Sequence, residues 1–265
     1  KFSPRRVWDT LIEKEDISVF MGVPTMYSYL LSYLDQLSDD QKSLYDEKSY
    51  YQRCMRAARR LRLAVCGSSA CPVPLMNKWK GLSGQFLLER YGMSETGMIL
   101  SNPYETGKRI EGTVGEPMPY VKVKVVQDGE LLVRSKCMMS GYYKKPKQTR
   151  EAFMGAYFRT GDQVSVDSKG VYTIKGRISM DIIKHKGYKI SALDVENCLL
   201  GHPLISECSV VGLSHEVYGQ SIAAVVVKAD AQVLSESDLN SWCSDVLAPY
   251  QCPTTIHFVE QIPRN

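Results

Sequence analysis

The 265-residue sequence contains no apolar run approaching the roughly 20 residues that a helix needs to span a bilayer, which excludes a membrane-spanning helix. Charge of either sign is in small excess. A net charge of +4, spread along the chain, is too mild to point to nucleic acid as a partner. Among the eight cysteines there is no CxxC pair, and His185, His202, His215 and His257 are dispersed without metal or triad spacing. A thiolate metal centre is thereby excluded, and reduced thiols in an intracellular compartment are the expectation. The opening KFSPRRVWDT lacks a signal or transit pattern and reads as a start within structured sequence.

What is present is an ordinary globular composition, 44% hydrophobic and 23% charged, long enough for one large or two ordinary domains. Arginine is concentrated at 53–62, where five fall in ten residues. The simpler reading is the solvated face of a helix; the sharper one is a basic groove for an anionic partner.

Strand and helix signals alternate over 1–90: helices over 7–16, 27–37 and 75–82, strands in ISVFMGV, LRLAVCG and QFLLER, and a polar loop at 38–40. That alternation predicts a parallel α/β layer whose ligands lie at the carboxyl ends of the strands. After Gly112 the texture changes to VKVKVVQ and GELLVRS, a short helix at 149–154, and a hairpin turning at 168–170, an antiparallel β region. Beyond Arg177 come DIIKHKGYKIS as a strand, a helix, two strands and a helix, a small α+β domain. The boundary falls within 177–181, giving domains of 1–177 and 178–265.

Three segments carry the chemistry. YGMSETG at 91–97 combines two glycines, two aliphatic hydroxyls and a carboxylate, a composition suited to a close-approaching phosphate and to magnesium held by Glu95. Alone, it reads as a plain turn. FRTGD at 158–162 ends in Asp162, by itself an unremarkable turn aspartate. Paired with Arg177 it gains meaning, since a carboxylate accepts both hydroxyls of a ribose and an arginine adds a charged donor. Each such bond is worth roughly 1.5–3 kcal/mol. GRISMDIIKHKGYKI at 176–190 supplies Arg177, Lys184 and Gly187.

In this order and at these intervals, the three segments resemble the core motifs of the adenylate-forming acyl-CoA synthetase superfamily. GSSACP at 67–72 and GVPTMY at 22–27 resemble two further segments that line its acyl pocket. The resemblance implies an α/β fold: the C-terminal part of a large adenylate-forming domain, followed by a small α+β domain. It implies ATP, Mg2+ and coenzyme A as cofactors and nucleotide contacts at Gly67, Ser68, Tyr91, Gly92, Met93, Ser94, Asp162 and Arg177. Catalytic roles fall to Ser94 and Glu95, with the metal on Glu95; Ser94 replaces a commoner Thr and keeps the hydroxyl. Lys184 and Gly187 would line the coenzyme A tunnel, against the simpler reading of a glycine turn with solvated lysines. The hinge is left open among Ser179, Met180 and Asp181.

Arg90 decides the substrate class. A buried unpaired arginine is costly beside a fatty tail. It makes sense if the acid carries a second carboxylate. ERYGMSE resembles the form found in malonyl-CoA synthetases, as do DIIKHKGYKISALDVE, HPLISECSVVG, VLAPYQCP and IPRN. That likeness implies malonate or a methyl-substituted malonate and, by resemblance alone, the mitochondrial matrix. The competing reading of Arg90 is a salt bridge to Glu89 or a helix cap, leaving a medium-chain or aryl acid ligase, or a silent AMP-binding module.

The sequence also departs from the family. Nothing resembles its Ser/Thr/Gly-rich phosphate loop, the lysine beyond Asn265 is not included, and the passage from Val126 to Leu131 is short. Positive charge aimed at the transition state is usually the largest catalytic term, so the expectation for these residues alone is no measurable adenylation.

Overall fold

The computed structural model describes residues 2–42, 48–229 and 234–263. Two compact units are formed, one of 1–122, 133–149 and 166–173, the other of 123–132, 150–165 and 174–265.

In the first unit, α1 (Pro4–Glu13) begins under a Ser3 side chain that accepts the Arg6 N–H, with proline at the first helical position. Strand β1 (Val19–Gly22) leads to α2 (Pro24–Asp35) and to α3 (Asp39–Lys42), a single turn of helix inside the expected polar loop. Next are α4 (Tyr50–Arg60), β2 (Leu63–Cys66), α5 (Val73–Ser83), β3 (Leu88–Met93), β4 (Gly97–Ser101) and β5 (Glu116–Pro117). The sheet order is β1-β2-β3-β4-β5. Helical crossovers make β1, β2 and β3 parallel, whereas the tight connection from β3 to β4 makes that pair antiparallel. The parallel layer expected over 1–90 is formed by β1, β2 and β3, and antiparallel β4 and β5 extend it into a mixed sheet.

Helix α4 buries Cys54, Ala57 and Ala58 and turns its arginines outward, the solvated face of the simpler reading. Its inner side joins a core built on Trp8, Tyr27 and Trp79. Trp8 stacks on Trp79 at 6.4 Å and Tyr27 meets Trp79 edge-on at 4.9 Å. The polar handles of two of these rings are satisfied, Trp8 Nε1 by the Leu30 carbonyl and the Tyr27 hydroxyl by that of Val65.

A second sheet takes β6 (Lys122–Val125), β7 (Glu130–Arg134), β8 (Phe153–Met154), β9 (Tyr157–Val166) and β10 (Tyr172–Arg177), in the order β10-β9-β7-β6 with β8 on β9; α6 (Pro146–Glu151) precedes β8. FRTGD lies inside the ten-residue β9 and not in a turn. The turn into β10 is made by Asp167, whose carboxylate accepts the N–H groups of Lys169 and Val171.

The C-terminal sheet contains β11 (Ile182–His185), β12 (Tyr188–Ser191), β13 (Ile205–His215), β14 (Gly219–Lys228) and β15 (Thr255–Val259), ordered β12-β11-β14-β13 with β15 parallel to β14. Helices α7 (Ala192–Leu200) and α8 (Glu236–Val246) pack on it around Val195, Leu199, Ile222, Val226 and Leu239. Instead of one strand, 181–191 forms a hairpin. Its two turn residues, Lys186 and Gly187, both have positive φ, the left-handed geometry a two-residue turn requires. Strand β15 was not anticipated from TTIHFV. Arg264 and Asn265 of the IPRN match lie outside the described residues. Among the described residues, no helix is long and apolar enough to cross a membrane.

Candidate functional site

YGMSETG is a hairpin. Tyr91 to Met93 complete β3, residues 94–96 turn, and Gly97 opens β4, with a bulge between Tyr91 and Gly92. A Cβ on Gly92 would lie 2.5 Å from the Gly97 carbonyl oxygen and 2.9 Å from the Met98 Cα. The close approach that Gly92 permits here is to its own partner strand. Ser94 is exposed at the tip. Glu95 accepts the Tyr142 hydroxyl on Oε1 at 3.2 Å and the Met139 N–H on its carbonyl at 2.7 Å. Fully buried Thr96 accepts the Ser135 hydroxyl on its carbonyl, so the segment 135–142 clamps the turn. Nothing in the spacing of the sequence pointed to Tyr142.

Glu89 and Arg90 precede the motif on β3 and, as strand neighbours, face opposite sides. Arg90 Nε donates to Ser101 Oγ at 3.3 Å. The carboxyl of Glu89 is 3% exposed; its Oε1 accepts the Cys71 N–H at 2.9 Å, and its Oε2 has no partner among the described residues. Burial pushes this carboxyl up to about 8, against the smaller opposing pull of the Cys71 N–H. The Glu89–Arg90 salt bridge and the helix cap weighed for Arg90 are therefore both absent: the residue is in a strand, and its neighbour is engaged elsewhere. Gly67 is packed so that a Cβ would meet the Arg90 carbonyl at 3.1 Å, and Ser68 follows at φ 72°.

Asp162 and Arg177 are brought together. Arg177 Nε is 3.3 Å from Asp162 Oδ1, the aspartate buried and the arginine largely exposed. Thr160 Oγ accepts the Asp162 N–H at 3.1 Å and donates to the Leu131 carbonyl at 2.7 Å. Buried Glu130, held by Arg159 at 2.7 Å, accepts the Gly161 N–H at 3.1 Å. Thr160, Glu130 and Arg159 thus fix the backbone that aims Asp162, and only Thr160 and Arg159 lie within the motif. After Arg177, Asp181 Oδ2 accepts the Arg177 N–H at 2.8 Å, and a Cβ on Gly176 would lie 2.5 Å from the Asp181 Cβ. Lys184 is exposed on β11 with its N–H on Gln220 Oε1.

The AMP-binding enzyme family matches residues 1–143, and the AMP-binding enzyme C-terminal domain matches residues 194–265. The chain belongs to the AMP-binding enzyme family. It is similar to "Malonate--CoA ligase ACSF3, mitochondrial" of Homo sapiens, at 40% identity over 300 aligned positions covering all of this chain and 50% of that protein. It is also similar to the malonate–CoA ligase of Arabidopsis thaliana, at 39% identity covering all of this chain and 46% of that one. The chain spans about half the length of the curated relatives it matches. Among solved structures, ATP-bound MatB from Rhodopseudomonas palustris superposes with a TM-score of 0.85 at 28% identity, covering all of this chain and 51% of that one.

Membership of the AMP-binding enzyme family implies a nucleotide ligand. No cluster of three or more His, Cys, Asp or Glu that could hold a metal exists among the described residues. Magnesium needs less protein than that, usually one or two carboxylates with substrate phosphates completing the shell, and Glu95 at an exposed turn suits this demand. Tyr91, Gly92, Met93, Ser94 and Glu95 share one hairpin, Gly67 and Ser68 pack beside its first strand, and Asp162 pairs with Arg177.

Proposed function

We propose that the chain forms part of an ATP-dependent acid–CoA ligase that activates a small dicarboxylic acid, malonate or a methyl-substituted malonate. The observation that carries this reading is Arg90, on the strand leading into the YGMSETG hairpin with a serine hydroxyl and, among the described residues, no carboxylate paired with it. A cation so placed suits the second carboxylate of a dicarboxylic acid better than an alkyl tail. The likeness to malonate–CoA ligases supports it.

In the reaction proposed, one substrate carboxylate oxygen attacks the α-phosphorus of ATP, forming an acyl-adenylate and releasing pyrophosphate. The thiol sulfur of coenzyme A then attacks the acyl carbonyl, AMP leaves, and the thiol proton is lost to solvent. Asp162 accepts the ribose hydroxyls and Arg177 donates to the same sugar. Tyr91 flanks the adenine, Gly67, Ser68, Gly92 and Met93 border the nucleotide, and Ser94 donates to phosphate. Glu95 would hold Mg2+, which when bound neutralises phosphate charge. Arg90 orients the acid, holding its reacting end near phosphorus. We further propose a functional partition of 1–177 and 178–265, with the hinge in 177–181, Lys184 and Gly187 lining the coenzyme A path, and a mitochondrial location by analogy with relatives so named.

Calorimetric titration with AMP tests the nucleotide part. The chain should bind AMP, and Asp162→Ala should weaken binding at least about tenfold, the equivalent of one charged hydrogen bond. Equal affinity in the variant, or no binding by the wild-type chain, would refute the reading.

A further inference from the structure

We propose that Glu89 is a positioning residue of the nucleotide and acid site: its buried carboxyl holds the 67–71 loop to β3, and its placement on the opposite face of the strand leaves the Arg90 charge for a substrate carboxylate. What Gly67, Ser68 and Arg90 touch rests on the adenylate-site reading; the anchoring itself does not.

The loop is tied to β3 at both ends. Gly67 lies against the Arg90 carbonyl, and the Cys71 N–H, at the other end, reaches Glu89 Oε1 at 2.9 Å. Between them Ser68 is held at φ 72°, a left-handed conformation that a serine keeps only when its surroundings over-determine it. Glu89 also anchors through its backbone, where its carbonyl accepts the Asn102 N–H at 3.1 Å.

The other carboxyl oxygen is buried and unpartnered, which a carboxylate anion tolerates poorly and a neutral acid tolerates better. Among the described residues, the titratable groups around it are the thiol of Cys66, its register partner on β2, the thiol of Cys71 and, beyond them, the hydroxyl of Tyr27 on α2. None of them brings a positive charge. The neutral form is accordingly the one that stays in place, and ionisation draws the side chain toward water and frees the loop. Because the neutral acid does not compensate Arg90, the arginine keeps its full charge for an incoming acid.

The Cys71 amide is the direct reporter. In hydrogen-exchange NMR of this chain, corrected for intrinsic rates, Glu89→Ala should lower Cys71 protection at least about tenfold, while Glu89→Gln keeps it. Wild-type protection should fall about tenfold between about pH 7 and pH 9, and that of the Gln variant should stay flat. AMP affinity, measured in parallel, should follow the same three patterns. If the wild-type chain binds no AMP, the adenylate reading fails, and the exchange data still decide the anchoring. Retained Cys71 protection in the Ala variant, or a Gln variant that tracks the wild-type pH profile, overturns the proposal. Should the Ala variant fail to fold, the wild-type and Gln profiles decide it between them.

Discussion

Glu89 is 3% exposed and Asp162 is 5% exposed, yet only Asp162 has a cation against it, Arg177 Nε at 3.3 Å. Chain order suggests the reverse. Glu89 is followed immediately by an arginine, whereas Asp162 and Arg177 lie on different strands. Alternation along β3 sends neighbours to opposite faces, and the pairing of β9 with β10 brings distant residues to one face. The two sites accommodate a buried carboxyl differently, one by ion pairing and the other with a backbone N–H alone, where burial pushes the carboxyl up. One carboxyl is therefore tied to an arginine on another strand, and the other lies apart from the arginine that follows it in the chain.

The largest expected effect comes from removing the paired charge. Asp162→Asn preserves shape and should reduce AMP affinity by about ten- to a hundredfold in calorimetry. Its cost in stability is smaller, about 1–2 kcal/mol by urea unfolding, because Arg177 is 58% exposed and relaxes into water. A loss of stability with unchanged affinity would make the pair purely structural.

Next is the hairpin that follows Glu89. Gly92→Ala drives a methyl to within 2.5 Å of the Gly97 carbonyl oxygen and should cost about 2–4 kcal/mol. Gly81→Ala, in helix α5 with open space around its Cβ position, should stabilise by about 0.5–1 kcal/mol. Chemical denaturation of both variants gives opposite signs if close strand packing, and not loss of a generic glycine, is the cause.

Protonation sets the third effect. The Glu89 carboxyl is raised from 4.5 to about 8, so between those values the unfolded chain is ionised and the folded chain is not. Unfolding then releases a proton, and wild-type stability declines as pH rises from about 4.5 to about 8 and levels off above. Glu196, which burial and nearby Asp181 raise to about 7, acts in the same direction. The difference between wild type and Glu89→Gln isolates Glu89: the variant should gain relative stability through that window, by an amount of order a few kcal/mol. Parallel curves would show that Glu89 is ionised in the fold.

Much of this was legible in the sequence because the signals were local. Period-3.6 patterning placed α1, α2, α4 and α5, and the motif order exposed the family. What was missed depended on contacts made across the fold. FRTGD has turn chemistry, but β7 and β10 on either side keep it in a strand. DIIKHKGYKIS reads as one strand until Lys186 and Gly187 adopt positive φ and fold it back. The readings of Arg90 against Glu89 failed because proximity in sequence is not proximity of side chains. Glu130 and Tyr142 bear on the motifs from other segments, and no spacing rule links them to it.

The smallest effect separates the two sites most finely. Tyr142→Phe removes one hydroxyl from Glu95 Oε1, a bond worth about 1 kcal/mol or less at a partly solvated turn. Asp162 and Arg177 are untouched by the change, so AMP affinity without metal should be unaltered. If Glu95 holds magnesium, the metal concentration that half-saturates ATP binding should shift by about fivefold or less, upward where the tyrosine orients the carboxylate and downward where it competes with the ion. Either shift, with AMP affinity constant, assigns the metal to the hairpin and the sugar to the strand pair. An equal change in both titrations would mean that Tyr142 supports the fold of the turn and that the two sites are not separable there.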